Sequence, residues 1–213
     1  TGRLIRQNGT SEEIQLNPTT ISKNTTMVQS ILEENGNFKG KLRTSKTDYM
    51  AFIFRDDFVG LTEKSYLDKL EEENENLEIT DFKIENIVIT EKPIVLSYSF
   101  TAENSCEFIG LKAETRKLPI DFIFPQSDKT ILNITIPEGF EIEYLPKSIT
   151  MATPDNGAVF KFSIQSEGNK IQITTAFDLN TDFFDPSEYQ DIKKIFNTVA
   201  EKNTEKIILK KIE

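Results

Sequence analysis

The stretch of sequence that decides the fold spans residues 158–177 and is AVFKFSIQSEGNKIQITTAF. Phe160, Phe162 and Ile164 alternate in it with polar residues. A period of two places neighbouring side chains on opposite faces of a β-strand, so the pattern predicts a strand with one face in a core and one in water. Glu-Gly-Asn at 167–169 predicts the turn that separates this strand from the next.

Similar segments fill the second half of the chain. Turns that contain Pro, Gly or Asn separate the predicted strands 118–124, 130–136, 140–144, 148–151, 158–164 and 170–177. Short strands at this regular spacing are typical of an antiparallel β-sandwich. A capping pattern begins at Asp185, and an apolar stripe then predicts a terminal helix: Tyr189, Ile192, Ile195, Phe196 and Val199. A last strand is predicted at 206–212.

The first half mixes helix and strand signals. Asn8-Gly9 and Asn35-Gly36 predict two β-hairpins with type I′ turns. Residues 47–76 have helical spacing instead, and strand patterns return at 77–84 and 94–101. We therefore predict a mainly β protein. Residues 1–112 would form a smaller α+β antiparallel domain, and 113–213 an antiparallel β-sandwich domain with a C-terminal helix and last strand, with the boundary within 110–116.

Composition argues against most catalytic classes. The 213 residues include no His, no Trp and a single cysteine, Cys106. Without an imidazole, neither a Cys–His nor a Ser–His–Asp arrangement can form. We predict no catalytic, cofactor-binding or metal-binding residues and interpret Cys106 as buried or incidental. The net charge of −10 disfavours nucleic acid and anionic membranes as partners, and no apolar run is long enough for a membrane-spanning segment.

Two sets of residues allow an alternative interpretation. Asp178, Asn180 and Asp182 are spaced like the start of a calcium loop, but the sixth and twelfth positions lack the required Gly and Glu, so cation binding there stays open. The acidic run 71–73 is interpreted as a solvated helix end. For glycan binding, sugar stacking would need exposed aromatics, for which the candidates are Tyr98, Tyr144, Phe183 and Phe184.

Four short motifs carry a family resemblance: RKLPIDF at 116–122, IPEGF at 136–140, YLPKS at 144–148 and FDPSEY at 184–189. They resemble the uncharacterised C-terminal domain of bacterial transglutaminase-like envelope proteins. Residues 2–5 and 36–49 are similar to the region that joins the catalytic core to this domain. The resemblance implies a periplasmic, cell-envelope or secreted location. The family's Cys–His–Asp residues belong to the core, and no position here matches them, Cys106 included.

The resemblance and the composition together predict a function. We expect a non-catalytic accessory or interaction module that docks on a transglutaminase-like core of the same polypeptide, or shapes access to it. Its contacts would come from Met50, Phe52 and Phe54, and its strand-like beginning suggests a piece of a longer chain. The alternative is a glycan-binding β-sandwich module. Residues 108–116 are shorter than in the family, so a loop missing there is a further interpretation.

Overall fold

The computed structural model describes residues 2–74, 76–103 and 120–212. Strands account for 48% of the described residues and helices for 21%, which confirms the mainly β, sandwich-like class. The helices are α1 (Asp48–Phe58), α2 (Glu63–Glu72) and α3 (Tyr189–Thr204), the last preceded by a 3₁₀ turn at Pro186–Glu188. The strands are β1 (Gly2–Ile5), β2 (Ser11–Ile14), β3 (Ser22–Leu32), β4 (Phe38–Lys46), β5 (Leu77–Glu85), β6 (Ile94–Ala102), β7 (Ile120–Asp121), β8 (Gln126–Thr135), β9 (Phe140–Tyr144), β10 (Ile149–Ala152), β11 (Ala158–Glu167), β12 (Lys170–Leu179), β13 (Phe183–Phe184) and β14 (Ile208–Lys211).

Eight strands form one large sheet in the order β10-β11-β12-β8-β3-β4-β6-β5. Strands β3 and β8 pair in parallel from Ser22↔Gln126 to Ile31↔Thr135, and the other pairs of this sheet are antiparallel. The sheet is therefore mixed rather than purely antiparallel, and it contains strands of both predicted domains. The proposed boundary at 112/113 falls outside the described residues and stays a prediction. Three two-stranded pairs, β1–β2, β7–β13 and β9–β14, complete the strand pairing among the described residues.

One face of the large sheet is covered, and we call it the covered face. Helices α1 and α2 pack over β4–β6 around Phe54 and Leu96, and α3 packs over β11 and β12 around Phe160 and Ile195. Between them, the β9–β14 ribbon packs around Ile134. Helices and ribbon form the second layer that buries the apolar side of the strands, as a two-layer fold requires.

Capping residues explain where two of the helical segments begin. The Asp185 side chain accepts a hydrogen bond from the Ser187 backbone N–H at 3.0 Å, and Glu188 accepts one from the Asp185 N–H at 2.8 Å, so the predicted capping box is confirmed. Thr62 and Ser65 form a second such box at the start of α2. None of the helices in the described residues is long and apolar enough to cross a membrane.

Two local expectations are wrong. Both predicted hairpins form, as β1–β2 and β3–β4. A type I′ turn needs positive φ at both central residues, whereas Gly9 and Gly36 have positive φ and Asn8 and Asn35 do not, so neither turn is type I′. The strand predicted at 118–124 is limited, in its described part, to Ile120–Asp121. Ile123 has φ +70°, and the chain reverses there before β8, which ends the strand.

Candidate functional site

The oxygen-bearing residues near the end of β12 do not converge on one point. Asp178 accepts a hydrogen bond from Ser127 Oγ at 2.6 Å, Asn180 Nδ2 donates to the Asn156 carbonyl at 2.8 Å, and Asp182 accepts from Asn17 Nδ2 at 3.5 Å. Within 2–74, 76–103 and 120–212, no group of three or more His, Cys, Asp or Glu could hold a metal ion. In the acidic run, the Glu71 carboxylate instead accepts from the Ile79 N–H at 2.9 Å.

The candidate stacking aromatics are dispersed. Tyr98 stacks with Phe82 under the helices, and burial raises its pKa. Phe184 is fully buried, whereas Phe183 is 52% exposed. Tyr144 lies on the β9–β14 ribbon, where its hydroxyl donates to Glu205 at 3.4 Å. These rings therefore do not form one sugar-stacking platform.

The expected docking residues have different environments. Phe54 is buried in the core beneath α1, so the expectation that it supplies a docking contact is wrong. Phe52 is 61% exposed on the opposite side of the helix. Met50 is half-buried. Cys106 and the segment 108–116 lie outside the described residues.

Exposed apolar side chains cluster at the end of the sheet where β3 and β8 begin. We define this apolar end by Ile21, Tyr49, Phe52, Ile123 and Phe183, all of them exposed. The Tyr49 ring stacks on Phe124 at 5.2 Å, and its N–H donates to Ser22 Oγ at 3.2 Å. Phe183 pairs with Asp121, whose carboxylate accepts from the Ile123 N–H at 2.7 Å. These contacts bring the start of α1 together with the segment before β3, the loop between β7 and β8, and β13.

A polar network lies beneath this end, half-buried at Lys46 and Asn24 and exposed at Asp128. Lys46 Nζ donates to Asn24 Oδ1 at 3.2 Å, and Asn24 Nδ2 donates to Asp128 Oδ2 at 3.1 Å. Burial lowers the pKa of Lys46, and the Asp128 charge partly opposes that shift. The network links β4, β3 and β8, so its simplest role is to hold the apolar end in register.

No helix in the described part of the chain lies on the second face of the large sheet, which we call the open face. All three core clusters lie on the covered face. On the open face the strand side chains are exposed or half-buried, with the exception of Val95. A trough of about 1220 Å³ runs across this face, over strands β3–β6, β8, β11 and β12.

The strand register arranges the trough side chains in rows that cross the strands. One row is Gln165, Gln172, Asn133, Gln29, Lys41, Ser99 and Thr80. The adjacent row is Glu167, Lys170, Thr135, Ile31, Lys39, Thr101 and Glu78. Because neighbouring strands lie about 4.8 Å apart, seven strands give a row roughly 29 Å long.

A smaller apolar crevice of about 340 Å³ lies on the covered face between the α1–α2 layer and the β9–β14 ribbon. It is lined mainly by apolar side chains of the sheet, including Val28, Phe38, Tyr98, Phe100 and Leu132. The covering layer is thus discontinuous at this point.

Sequence reasoning missed the open face as a site, although a signal was present. Asn133 and Gln165 lie on the polar side of strands whose alternation is clean. What the alternation could not show is that β8, β12, β3 and β4 are neighbours, because that order depends on the parallel β3–β8 pairing.

The fold and these surfaces define a mainly β domain with one covered and one open sheet face. A family model described as "Domain of Unknown Function with solved-structure structure (DUF3858)" matches residues 92–209. Since the match covers more than half of the chain, the chain belongs to the DUF3858 family.

One solved structure is similar over 97% of this chain, at 14% sequence identity and a TM-score of 0.46. It is a protein from Parabacteroides distasonis ATCC 8503 described as a "putative protease". The similar region covers 30% of that protein's length. No curated protein matches the chain.

Proposed function

We propose that this chain is a non-catalytic accessory module that docks on a transglutaminase-like catalytic core of the same polypeptide. The observation that carries the proposal is the apolar end. Its five exposed apolar side chains come from segments far apart in sequence and meet at one end of the sheet. Exposed apolar clusters of this kind mark protein–protein contacts. A periplasmic or envelope location belongs to the same proposal.

The chemistry of the described residues supports an accessory role. Of the shifted pKa values, those of Tyr66 on α2 and Tyr98 on β6 are raised by burial, and those of Asp155 and Asp185 are lowered by hydrogen bonds in turns. Each shift has a structural cause. The glycan-binding alternative has no specific observation in its favour, since the open-face positions of strands β3–β6, β8 and β10–β12 include no Phe, Tyr or Trp.

The test is a double substitution, Phe52→Glu with Ile123→Glu, in the intact parent protein. We expect the radius of gyration from small-angle scattering to increase and amide exchange at 49–53 and 120–125 to accelerate, because two carboxylates would be placed in an apolar contact. Both side chains are exposed in this chain, 61% and 72%, so its fold should tolerate the change.

The matched control is Ile212→Glu, which places a carboxylate at a 55% exposed apolar position beyond the opposite end of the sheet, where the Ile212 N–H donates to the Gly139 carbonyl. It should leave scattering and exchange as in the unmodified protein. If the double variant and the control behave alike, the apolar end is not the docking surface.

A further inference from the structure

A lysine, an asparagine and an aspartate meet on the covered face, at the end of the sheet where β3 and β8 begin. Asn24 on β3 pairs with Lys46 on β4 and with Asp128 on β8. Lys46 Nζ donates to Asn24 Oδ1 at 3.2 Å, and Asn24 Nδ2 donates to Asp128 Oδ2 at 3.1 Å. The side-chain amide therefore lies between a primary amine and a carboxylate. We call these three residues the amide triad.

The amide triad interrupts a row of apolar side chains. In the strand register, Phe177 on β12 lies beside Asp128, and Ile94 on β6 lies beside Lys46. Ile94 is buried in the core cluster beneath α1, and Phe177 packs against Phe196 of α3. Placing three polar groups between two core clusters costs desolvation free energy, which favours a specific role for them.

Neighbouring residue pairs hold the amine and the amide in place. On one side, the Thr47 N–H donates to the Lys23 carbonyl at 2.9 Å, and the Lys23 N–H donates to Thr47 Oγ1 at 3.1 Å. On the other side, the Thr26 and Thr44 hydroxyls share a hydrogen bond of 3.0 Å. The reacting groups thus lie between two fixed pairs. Holding two groups at contact distance removes much of the entropic barrier to their reaction.

The environment of Lys46 favours a nucleophilic amine, since only the neutral form can attack a carbonyl carbon. Burial lowers the pKa of Lys46 from its ordinary value of 10.5, and the negative charge of Asp128 partly opposes that shift. Within residues 2–74, 76–103 and 120–212, Lys46 forms no ion pair, so its amine is not held on a carboxylate. Asp128 is exposed, which gives a small leaving group a path to water.

We propose that Lys46 and Asn24 join in an intramolecular isopeptide bond, with Asp128 as the proton carrier. Lys46 Nζ attacks Asn24 Cγ, the Asp128 carboxylate takes a proton from the attacking nitrogen and gives it to Nδ2, and the Cγ–Nδ2 bond breaks. The products are one Lys–Asn amide and one ammonia, so the reaction needs no oxidant and no second substrate. The bond links β3 to β4 covalently and does not depend on docking at the apolar end.

The experiment is intact-mass spectrometry of the purified chain, followed by tryptic digestion. We expect a mass about 17 Da below that of the sequence, which is the mass of one ammonia. Trypsin should fail to cut after Lys46, and a branched peptide should join residues 24–39 to residues 44–55. An intact mass equal to that of the sequence, with a normal cut after Lys46, would overturn the proposal.

Two variants test the roles of the amine and the carboxylate. Lys46→Arg keeps the charge and the hydrogen-bond donor but cannot form the amide, so no branched peptide should appear. Asp128→Asn keeps the side-chain shape but cannot carry the proton, and it should also abolish the branched peptide. The matched control is Asp178→Asn, the same change at a β12 carboxylate that accepts from Ser127, and it should react like the unmodified chain. Equal yields of branched peptide in Asp128→Asn and the control would overturn the mechanism.

Ammonia loss from another source has a separate signature. Asn8-Gly9 and Asn35-Gly36 can each cyclise to a succinimide, which also releases ammonia. That ring joins no two peptides, leaves the cut after Lys46 intact and forms equally in Lys46→Arg. A mass loss that is the same in Lys46→Arg, without the branched peptide, therefore overturns the proposal. The amide triad forms only in the folded sheet, because Asp128 is 104 residues from Asn24.

Discussion

The turn between β10 and β11 depends on two side chains, Thr153 and Asp155. Thr153 is 3% exposed, and its Oγ1 donates to Asp155 Oδ1 at 2.7 Å and accepts from the Ala158 N–H at 3.0 Å. Asp155 also accepts from the Gly157 N–H at 3.0 Å. The sequence 154–157 indicated a turn from its residue types, but not that a buried hydroxyl would organise it. The burial of Thr153 depends on tertiary packing, which the residue types of the turn do not show.

Asp155 makes the stability of this turn depend on pH. The hydrogen bonds from Thr153 and Gly157 hold the pKa of Asp155 below its ordinary value of 3.8. Because the unfolded chain takes up the proton first, the contribution is complete above pH 3.8 and is lost as the pH falls through the lowered folded-state value.

Asp155→Asn should therefore flatten the decrease in unfolding free energy at acidic pH, measured by urea denaturation from about pH 5 to about pH 2. Since the carboxylate is exposed, we expect a difference below about 1 kcal/mol. Identical pH profiles for the two proteins would show that these hydrogen bonds do not stabilise the folded state.

Helix α3 shows how far periodicity predicts an element. Its capping box and apolar stripe predicted the helix at 189–199 and the side that packs on the sheet, and both follow from local rules. The pattern could not rank the stripe residues by burial. Ile195 is 1% exposed, whereas Phe196 is half-buried and meets Phe177 edge-on at 5.1 Å. That difference depends on where β11 and β12 lie beneath the helix.

Ile195→Ala should cost about 2–5 kcal/mol of unfolding free energy, because it leaves a cavity between α3 and the strands. This is a large share of the roughly 5–15 kcal/mol that holds a typical domain folded. Chemical denaturation measures it directly. The control Ile208→Ala, at a position 45% exposed on β14, should cost less than about 1 kcal/mol. A cost that small for Ile195 would make α3 a peripheral element.

The strand order is the feature that sequence alone could not supply. Alternation predicted most strands of the large sheet, but its continuity arises from the parallel pairing of β3 with β8, between Ser22↔Gln126 and Ile31↔Thr135. Parallel neighbours are distant in sequence, so no turn signal announces them. The open face follows from this pairing, since it joins the carboxamide strands β12 and β8, through β3, to the lysine-bearing strand β4 in one sheet. The candidate site was therefore less predictable than the fold class.

The shared sheet leads to a specific expectation about the predicted boundary. The polar composition of 110–116 predicts the first cut there in limited proteolysis. The two pieces should nevertheless remain together, because separating them would break ten parallel residue pairs and expose the edges of β3 and β8.

We therefore expect the cut protein to elute from gel filtration as one species under native conditions and as two pieces in denaturant. Chemical denaturation of the uncut chain should give a single transition, because β3 and β8 lose the same hydrogen bonds when either half unfolds. Pieces that separate without denaturant would mean that the halves are independent domains and that the β3–β8 pairing is weak. A first cut inside 158–177 would instead place the boundary prediction in error, because that segment forms the hairpin of β11 and β12 within the second predicted domain.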